Sequence, residues 1–572
     1  MLSKEIENSI RKIALKNALD YGTAKASAVM GKALSEFPEL KHDLRPLSAD
    51  IERIIAEINS MPRQLLEKEA ERYAGEFSAE RAEKAARSGR HSYMLNGASS
   101  GAFATRFPPE PNGYMHIGHA KPAFIEQEVS GIYRGSLFLY FDDTNPEAER
   151  QAFADAIKYD LNWLGISFEC EYYASDSIER LYAYAESLIK KGHAYVCLCG
   201  PDDVKKGRQD SLACEHREAG IAENEGFWKR MLGREQNEGI LRLHSDMKAE
   251  NTTMRDPTLF RIKKEPHYRQ GSKYQMWPTY DFNTPVMDSI HGITDAIRSK
   301  EYELRDELYY KILDLLGLRK PRIHSISRLE IRNNITSKRK LNELIGKGLV
   351  SGYDDPRLVT IAALRRRGIT PAAIRELALR FGMSKAEGSV GIEMLLSENR
   401  KEIDAHSKRL FLVKEPVRLK VSSMPGEHMD ISIKLHPTEE SGYRSYKLSN
   451  VFFINAYDAN RLESGQKVRL KDAFDIRITG KEKGALEAAY ENGNSAEGAR
   501  IAWVNENNYV GCTINMVGDL LNGVSFNSES IISYKGYVES YANQLSEGET
   551  VQFSSMGFFK LDIKKSLSFL SL

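Results

Sequence analysis

The stretch that most constrains this chain is Arg106-Phe-Pro-Pro-Glu-Pro-Asn-Gly-Tyr-Met-His116-Ile-Gly-His119. It follows a short apolar run, Gly101 to Thr105, that reads as a strand, and it precedes Ala120 to Tyr133, which reads as a helix. Pro108, Pro109, Pro111 and Gly113 punctuate the turn between them. A helix N-terminus offers free N–H groups and the positive end of a dipole, which suits phosphate. Imidazoles placed there can donate hydrogen bonds to an α-phosphate as charge builds on it. A His-x-Gly-His by itself is also what two surface histidines on a capped helix look like; the weight lies in the whole fourteen-residue stretch.

From about residue 98, strand and helix alternate. Ser136–Phe141 reads as a second strand, ended by Asp142-Asp143-Thr144-Asn145-Pro146. A helix from Glu147 to about Leu164, a short strand near Phe168, a helix from Ser177 to Lys191 and a further strand at His193–Leu198 follow. Units of this length predict a parallel sheet with helices on both faces. Such sheets bind ligands at the carboxyl ends of their strands. The 106–119 and 142–146 loops both fall at such ends, which places them near one crevice. Asp142 and Asp143 read alone are turn residues before a proline.

A chain of 572 residues predicts three to five domains. It has no run of eighteen apolar residues and no leader-like pattern, so the expectation is a soluble, cytoplasmic protein with no membrane partner. Lys plus Arg number 81 against 80 for Asp plus Glu, so a nucleic-acid partner would have to be met by locally gathered basic residues. Such a gathering occurs from Arg319 to Lys347, around Ile335-Thr336-Ser337-Lys338-Arg339. Five cysteines are too few for a disulfide scaffold. Four donors, Cys197, Cys199, Cys214 and His216, pair through a turn in a way that fits tetrahedral zinc, the alternative being reduced cysteines in a loop. Cys170 and Cys512 have no partners in sequence.

The flanks read differently. Residues 1 to 95 show helical spacing at Ile6, Ile10, Ile13 and Ala14 and again at Ile51, Ile54, Ile55 and Ile58. Gln64 to Arg90 reads as a charged helix or linker. Residues 200 to 275 break the alternating rhythm as an insertion would, with Arg255 to Lys263 as a turn and a strand, basic on one side. Leu358 to Ser407 reads as helical, and from about 411 the apolar period changes to two, an all-β region.

The fourteen-residue stretch resembles the nucleotide-binding signature of class I aminoacyl-tRNA synthetases, in the glutamyl and glutaminyl group and close to its archaeal and eukaryotic form. The resemblance implies a multidomain chain with an α/β Rossmann-like catalytic core (96–335), an inserted acceptor-binding domain at about 197–276 and an N-terminal helical extension (1–95). A catalytic loop and helical connector (336–410) and C-terminal β-barrels that bind the anticodon (411–572) complete it. It implies ATP with Mg²⁺, L-glutamate and tRNA as partners, and a monomer. By match, His116, His119 and Lys338 are catalytic. Pro109, Glu110, Pro111, Asn112, Gly118 and Ser337 join Lys338 in holding ATP. Lys338 and Ser337 belong to a degenerate Lys-Met-Ser-Lys-Ser loop whose first Lys is Ile335 and whose last Ser is Arg339. Arg106, Asp142, Tyr280 and Arg298 would hold the amino acid, Asp142 by its α-ammonium. Tyr140 stands where the family usually has arginine.

Arg298 falls where glutaminyl members have a small neutral residue and glutamyl members have arginine. An arginine suits a γ-carboxylate through a charge-assisted fork, and against a neutral amide it is under-compensated by about 1–3 kcal/mol. The expected activity is therefore ATP-dependent formation of glutamyl-adenylate and transfer to the 3′ end of tRNA(Glu), with tRNA(Gln) open as a second acceptor. Some glutamyl members carry a zinc knot like the Cys/His set. A glutaminyl enzyme, another adenylyl-transferring enzyme and a non-catalytic tRNA-binding relative remain as alternatives.

Overall fold

Apolar side chains at helical spacing build the smaller of two compact units, Met1–Met94; the other is Leu95–Leu572. The computed structural model describes residues 4–21, 23–26, 29–30, 33–34, 37, 44–61, 65–66, 69 and 93–572, apart from 386–387, 427–428, 439–440, 483, 493–498 and 555. In the first unit, α1 (Lys4–Tyr21) and α2 (Leu44–Asn59) bury Ile10, Ile13 and Ala14 with Ile51, Ile54, Ile55 and Ile58 in one cluster. The Ile residues at i, i+3 and i+4 form the stripe that a helix must cover. Most of the expected 64–90 helix lies outside the described residues.

The second unit opens with β1 (Ala104–Phe107), α3 (Ile117–Ile132), β2 (Ser136–Phe141), α4 (Gln151–Trp163), β3 (Glu171–Tyr173) and α5 (Ile178–Lys190). β1 pairs with β2 and β2 with β3, all parallel. The chain then leaves this sheet. β4 (Ala194–Cys197) pairs antiparallel with β5 (Ile240–Leu243), β5 with β6 (Thr258–Ile262) and β6 with β7 (Met276–Pro278), and α6 (Pro201–Asp210) and α7 (Ile221–Leu232) fall between β4 and β5. The strand expected at 193–198 therefore belongs to the inserted antiparallel sheet and not to the parallel one. An antiparallel pair can be set by local turns, whereas a return to the parallel sheet needs a crossover. The 255–263 strand is interior to that sheet, flanked on both sides, so it is not a solvated edge.

Trp277 to Phe282 splits between the end of β7 and α8 (Tyr280–Ile290). The parallel strands resume with β8 (Asp295–Ser299), α9 (Asp306–Leu316) and β9 (Arg322–Ile326), β8 pairing parallel with β9. Thr294 N donates to Ala104 O at 2.9 Å, which sets β8 beside β1. Chain order thus runs outward from β1 in both directions, and the gap between the two directions is where an open α/β sheet leaves its crevice.

Beyond β9 come α10 (Lys338–Gly346), α11 (Ile361–Arg367), α12 (Pro371–Arg380) and α13 (Ile392–Ile403). One short strand interrupts this helical region, Gly388–Val390, paired parallel with Leu329–Ile331. The rest is β. In one seven-stranded sheet the two end strands are Lys408–Leu410 and Leu412–Lys414; in the other they are Ala499–Ile501 and Trp503–Asn505. In each case a single residue, Phe411 or Ala502, joins the two ends. A sheet whose first and last strands are neighbours in the chain has curled onto itself, so both sheets are barrel-like. Among the described residues no helix is long and apolar enough to cross a membrane.

Candidate active site

His116 ends the loop after β1 in an extended conformation (φ −131°, ψ 173°) and caps α3. Its Nδ1 accepts from Gly118 N at 3.1 Å, and His119 Nδ1 accepts from His116 N at 3.2 Å. With both Nδ1 atoms taken, each neutral ring carries its proton on Nε2 and has that N–H to donate. The rings stack with centroids 3.9 Å apart. Loss of solvation, then each ring's charged neighbours (His119 and Arg328 for His116, Arg328 for His119), hold both imidazoles below their ordinary value, His119 at about 4. Both are neutral at pH 7. Gly118 is required sterically: a Cβ there would lie 2.8 Å from His116 Cε1 and 3.3 Å from Leu329 O.

These residues open onto a cavity of about 630 Å³ at the carboxyl ends of β1, β2 and β8. Pro109, Glu110 and Asn112 form one wall, and Ser337 and Lys338 another. Pro111 does not line it; its carbonyl accepts from Arg150 N at 3.1 Å and so ties this wall to the 142–149 loop. Lys338 is the first residue of α10, after Ser337 at the cap position. Its stem passes Gly113, whose added Cβ would meet Lys338 Cδ at 3.5 Å, and its ammonium sits 5.1 Å from the Phe153 ring. Residues more than two hundred positions apart in sequence thus share one cavity.

The remaining wall carries charge. Asp142 is buried at 5% exposure; its Oδ1 accepts from Asn283 Nδ2 at 2.8 Å and Thr144 Oγ1 at 3.2 Å. Burial, then the neighbouring carboxylates Glu110 and Glu149, push its carboxyl well above the usual range, so an incoming cation would be welcome. Tyr140, the departure from the family pattern, has its hydroxyl 2.6 Å from the same Asn283 Nδ2. Arg106 is fully engaged: Nε and Nη2 fork onto Asp288 at 2.7 and 3.1 Å, and Nη1 donates to Ile297 O at 3.0 Å. Arg298 is not. Its Nη1 donates to Asp306 Oδ1 at 3.1 Å, its Nε is buried without a partner, and its guanidinium lies 5.4–5.6 Å from the rings of Tyr280, Tyr302 and Tyr309.

Several participants were invisible in the sequence. Asn283 sits one turn after Tyr280 on α8, so helical spacing from that position could have flagged it, whereas Tyr309, whose O–H donates to Asp288 Oδ2 at 3.0 Å, lies on α9, where the sequence marks no site residue. Glu126 lines the cavity with both carboxylate oxygens buried and unpartnered, and burial raises its carboxyl well above the usual value. Nothing in the local sequence marks it.

The Cys/His set closes at the end of β4. Cys197 Sγ lies 3.7 Å from Cys214 Sγ, and Cys199 Sγ 3.5 Å from His216 Nδ1, with one donor atom of each residue within 4.8 Å of the others. A tetrahedron with Zn–S of about 2.3 Å and Zn–N of about 2.0–2.1 Å puts sulfurs about 3.8 Å apart and S and N about 3.6 Å apart. The donor set therefore fits such an ion. Arg242 Nη1, 3.9 and 3.7 Å from Cys197 and Cys214 Sγ, supplies a positive neighbour to the sulfurs. Cys170 is exposed and Cys512 buried, neither near this set.

A strand–loop–helix capped by paired histidines, a lysine brought from a later loop and a β-barrel tail describe a class of protein, and sequence comparison identifies it. Residues 102–405 match the model for the catalytic domain of class I tRNA synthetases (E and Q), and residues 407–491 match that for their anti-codon binding domain. The chain belongs to this family. Within it, the chain is 39% identical over 571 residues to the glutamate–tRNA ligase of Nitrosopumilus maritimus, covering 99% of this chain and 100% of that protein. It is 37% identical to the glutamate–tRNA ligase of Cenarchaeum symbiosum (97% of each) and 36% to that of Pyrococcus furiosus (98% of this chain, 97% of that protein).

Proposed function

We propose that this chain is a glutamate–tRNA ligase, which activates L-glutamate with ATP to glutamyl-adenylate and transfers the glutamyl group to the 3′ end of tRNA(Glu). The observation that carries the choice of amino acid is Arg298: a guanidinium with a buried, unpartnered Nε, boxed by three tyrosines, on the cavity that also holds His116, His119 and Lys338. A γ-carboxylate supplies what that guanidinium lacks, and a neutral amide does not. The near full-length relatives carry the same activity in their names.

Each cavity residue then has a task. The α-ammonium of glutamate pairs with Asp142, whose position Asn283 and Thr144 fix. Tyr280 stacks along the substrate and Arg298 receives its γ-carboxylate. Arg106, locked to Asp288, sets the cavity wall and its net potential. The α-carboxylate attacks the α-phosphate, forming the acyl–phosphate bond and releasing pyrophosphate. The Nε2–H groups of His116 and His119 and the ammonium of Lys338 stabilise the added negative charge, with no protein nucleophile. Pro109, Glu110, Asn112 and Ser337 shape the nucleotide's half of the cavity, and Pro111 does so through its tie to Arg150. Bound with the ATP phosphates on this half of the cavity, Mg²⁺ would supply further charge neutralisation. The terminal ribose hydroxyl of tRNA then attacks the carbonyl and expels AMP. The barrels serve the anticodon, the inserted sheet the acceptor end, and the Cys197–Cys199–Cys214–His216 set holds a structural zinc. Acceptance of tRNA(Gln) as a second substrate fits the same pocket.

Lys338→Ala tests the assignment. Removing one charge-stabilising donor is expected to slow glutamate-dependent ATP–pyrophosphate exchange by about 10²–10³ while leaving tRNA affinity nearly unchanged. Unchanged exchange would remove Lys338 from the chemistry.

A further inference from the structure

Beside the cavity, three ionisable side chains meet with essentially no exposure. His267 comes from the segment between β6 and β7, Asp143 from the end of β2 and Glu149 from the turn before α4; their side chains are 0%, 0% and 1% exposed. His267 Nδ1 accepts from the backbone N–H groups of Arg269 at 3.2 Å and Gln270 at 3.1 Å. That fixes the tautomer, so the ring proton is on Nε2. Nε2 stands 3.6 Å from Asp143 Oδ2 and 3.6 Å from Glu149 Oε2, and both Nε2 and Glu149 Oε2 are buried without a hydrogen bond. A metal ion on Nε2 would require an imidazolate while Nδ1 accepts, which argues for protons here.

The two carboxyls differ. Asp143 takes three donors: Ser175 N at 2.8 Å on Oδ1, and Ser175 Oγ at 2.7 Å and Tyr268 O–H at 3.2 Å on Oδ2. Glu149 takes backbone N–H groups only, Asn145 N at 2.8 Å and more weakly Thr144 N, which close the turn before α4. Asp143 is therefore the first to ionise and Glu149 the one to keep a proton. Burial agrees, pushing Asp143 up to about 7 and Glu149 to about 8 and holding His267 below its ordinary value. The other charged groups facing the trio are Asp142, whose own carboxyl Glu149 and Asp143 help to raise, Arg269, 4.0 Å from Asp143 and paired with Asp176 at 3.0 Å, and Glu110 and Arg261 on the Glu149 side.

The loop these residues hold is the one that carries Asp142, whose N–H donates to Pro109 O at 3.1 Å. We propose that His267, Asp143 and Glu149 form a proton-sharing junction through which the inserted sheet positions the 142–149 loop, and with it Asp142, for the amino acid. The inference rests on the amino-acid site proposed above. With one proton on Glu149, the His267 N–H faces one anion. Once Glu149 ionises, two carboxylates face a single N–H and the loop loosens. A carboxyl whose folded-state pKa is raised stabilises the fold below its unfolded value and loses that contribution as pH rises through the folded value, here about 8. These are positioning residues, and their signature is in KM and its pH profile.

The test is the KM for glutamate in pyrophosphate exchange from pH 6.5 to 9.5, for the wild type, Glu149→Gln and His267→Asn. The wild-type KM is expected to climb above about pH 8, by up to about tenfold per unit, with kcat held. Glutamine keeps an acceptor for Asn145 N–H and cannot ionise, so Glu149→Gln should flatten the climb. Asparagine keeps an acceptor for the Arg269 and Gln270 N–H groups but removes the N–H facing the carboxylates. His267→Asn should therefore raise KM about tenfold already at pH 7. A flat wild-type profile, or a climb retained in Glu149→Gln, overturns the junction. Nitrogen resonances of ¹⁵N-histidine protein, with His267 assigned by its asparagine variant, decide it without catalysis. The ring should stay in the neutral Nε2–H form to below the ordinary histidine value, with an inflection near pH 8 that Glu149→Gln abolishes. Titration near the ordinary value of about 6.5 overturns it. A wild type that charges no tRNA would defeat the functional reading alone, because the resonances would still judge the junction.

Discussion

Two regions of the molecule bury charge to the same depth and treat it in opposite ways. In the β region, Arg444 and Glu539 are 2% and 0% exposed and nearly complete in their bonding. Arg444 Nε meets Glu539 at 2.8 Å, its Nη1 donates to Lys434 O at 2.6 Å, and Glu539 Oε2 accepts from Phe411 N at 2.9 Å. In the cavity, Arg298 Nε, Asn283 Oδ1 and both oxygens of Glu126 have no partner. A buried polar group left unpaired costs about 1–3 kcal/mol, so it persists only where something else repays it. Between these particular groups it is completeness of pairing, not burial, that differs; the measure is local, since Arg409 Nε and Tyr446 O–H in the β region are also buried without a partner. Arg106 falls with the scaffold by this measure, since Asp288 and Ile297 O already take its fork.

Substitutions in either region test this difference. The largest effect belongs to the scaffold pair: Arg444→Ala leaves Glu539 buried and alone, and should cost about 3–5 kcal/mol of stability in denaturant titration while adenylate formation per folded molecule stays at wild type. Activity lost ahead of stability would place that pair in the mechanism. Next, Arg298→Gln should reduce kcat/KM for glutamate by about 1–3 kcal/mol, roughly 5–150-fold, with no loss of stability, because the replaced cation was incompletely paired. A destabilised variant with normal kinetics would make Arg298 scaffold. The smallest effect is in the acid limb. His119 is exposed on the cavity, so the depression of its pKa below the unfolded value of about 6.5 contributes only a small stability above that value, lost as pH falls from there toward about 4. His119→Gln should flatten the fall in melting temperature over that window.

Much of this was legible in the chain. The 106–119 stretch located the capped helix because prolines, glycine and the two histidines leave few alternatives, and the zinc-fitting set followed from ligand spacing. Periodicity found the 136–141 strand to the residue. It misassigned 193–198 because a short apolar run does not reveal whether its partner lies parallel in the core or antiparallel in an insertion. The helix expected from Glu147 begins at Gln151 because Glu149 is spent on closing the turn before it. Glu126, Asp306 and the His267 junction were out of reach, since each gains its meaning from residues far off in sequence.

The most direct test of the central claim is aminoacylation of purified glutamate and glutamine tRNAs, each offered labelled glutamate and labelled glutamine. The pocket around Arg298 predicts that glutamate is attached, to tRNA(Glu) and to whichever of the two tRNAs the barrels accept, and that glutamine is not. Glutamine attached in its place would mean that Arg298 does not receive the substrate side chain and would contradict the account.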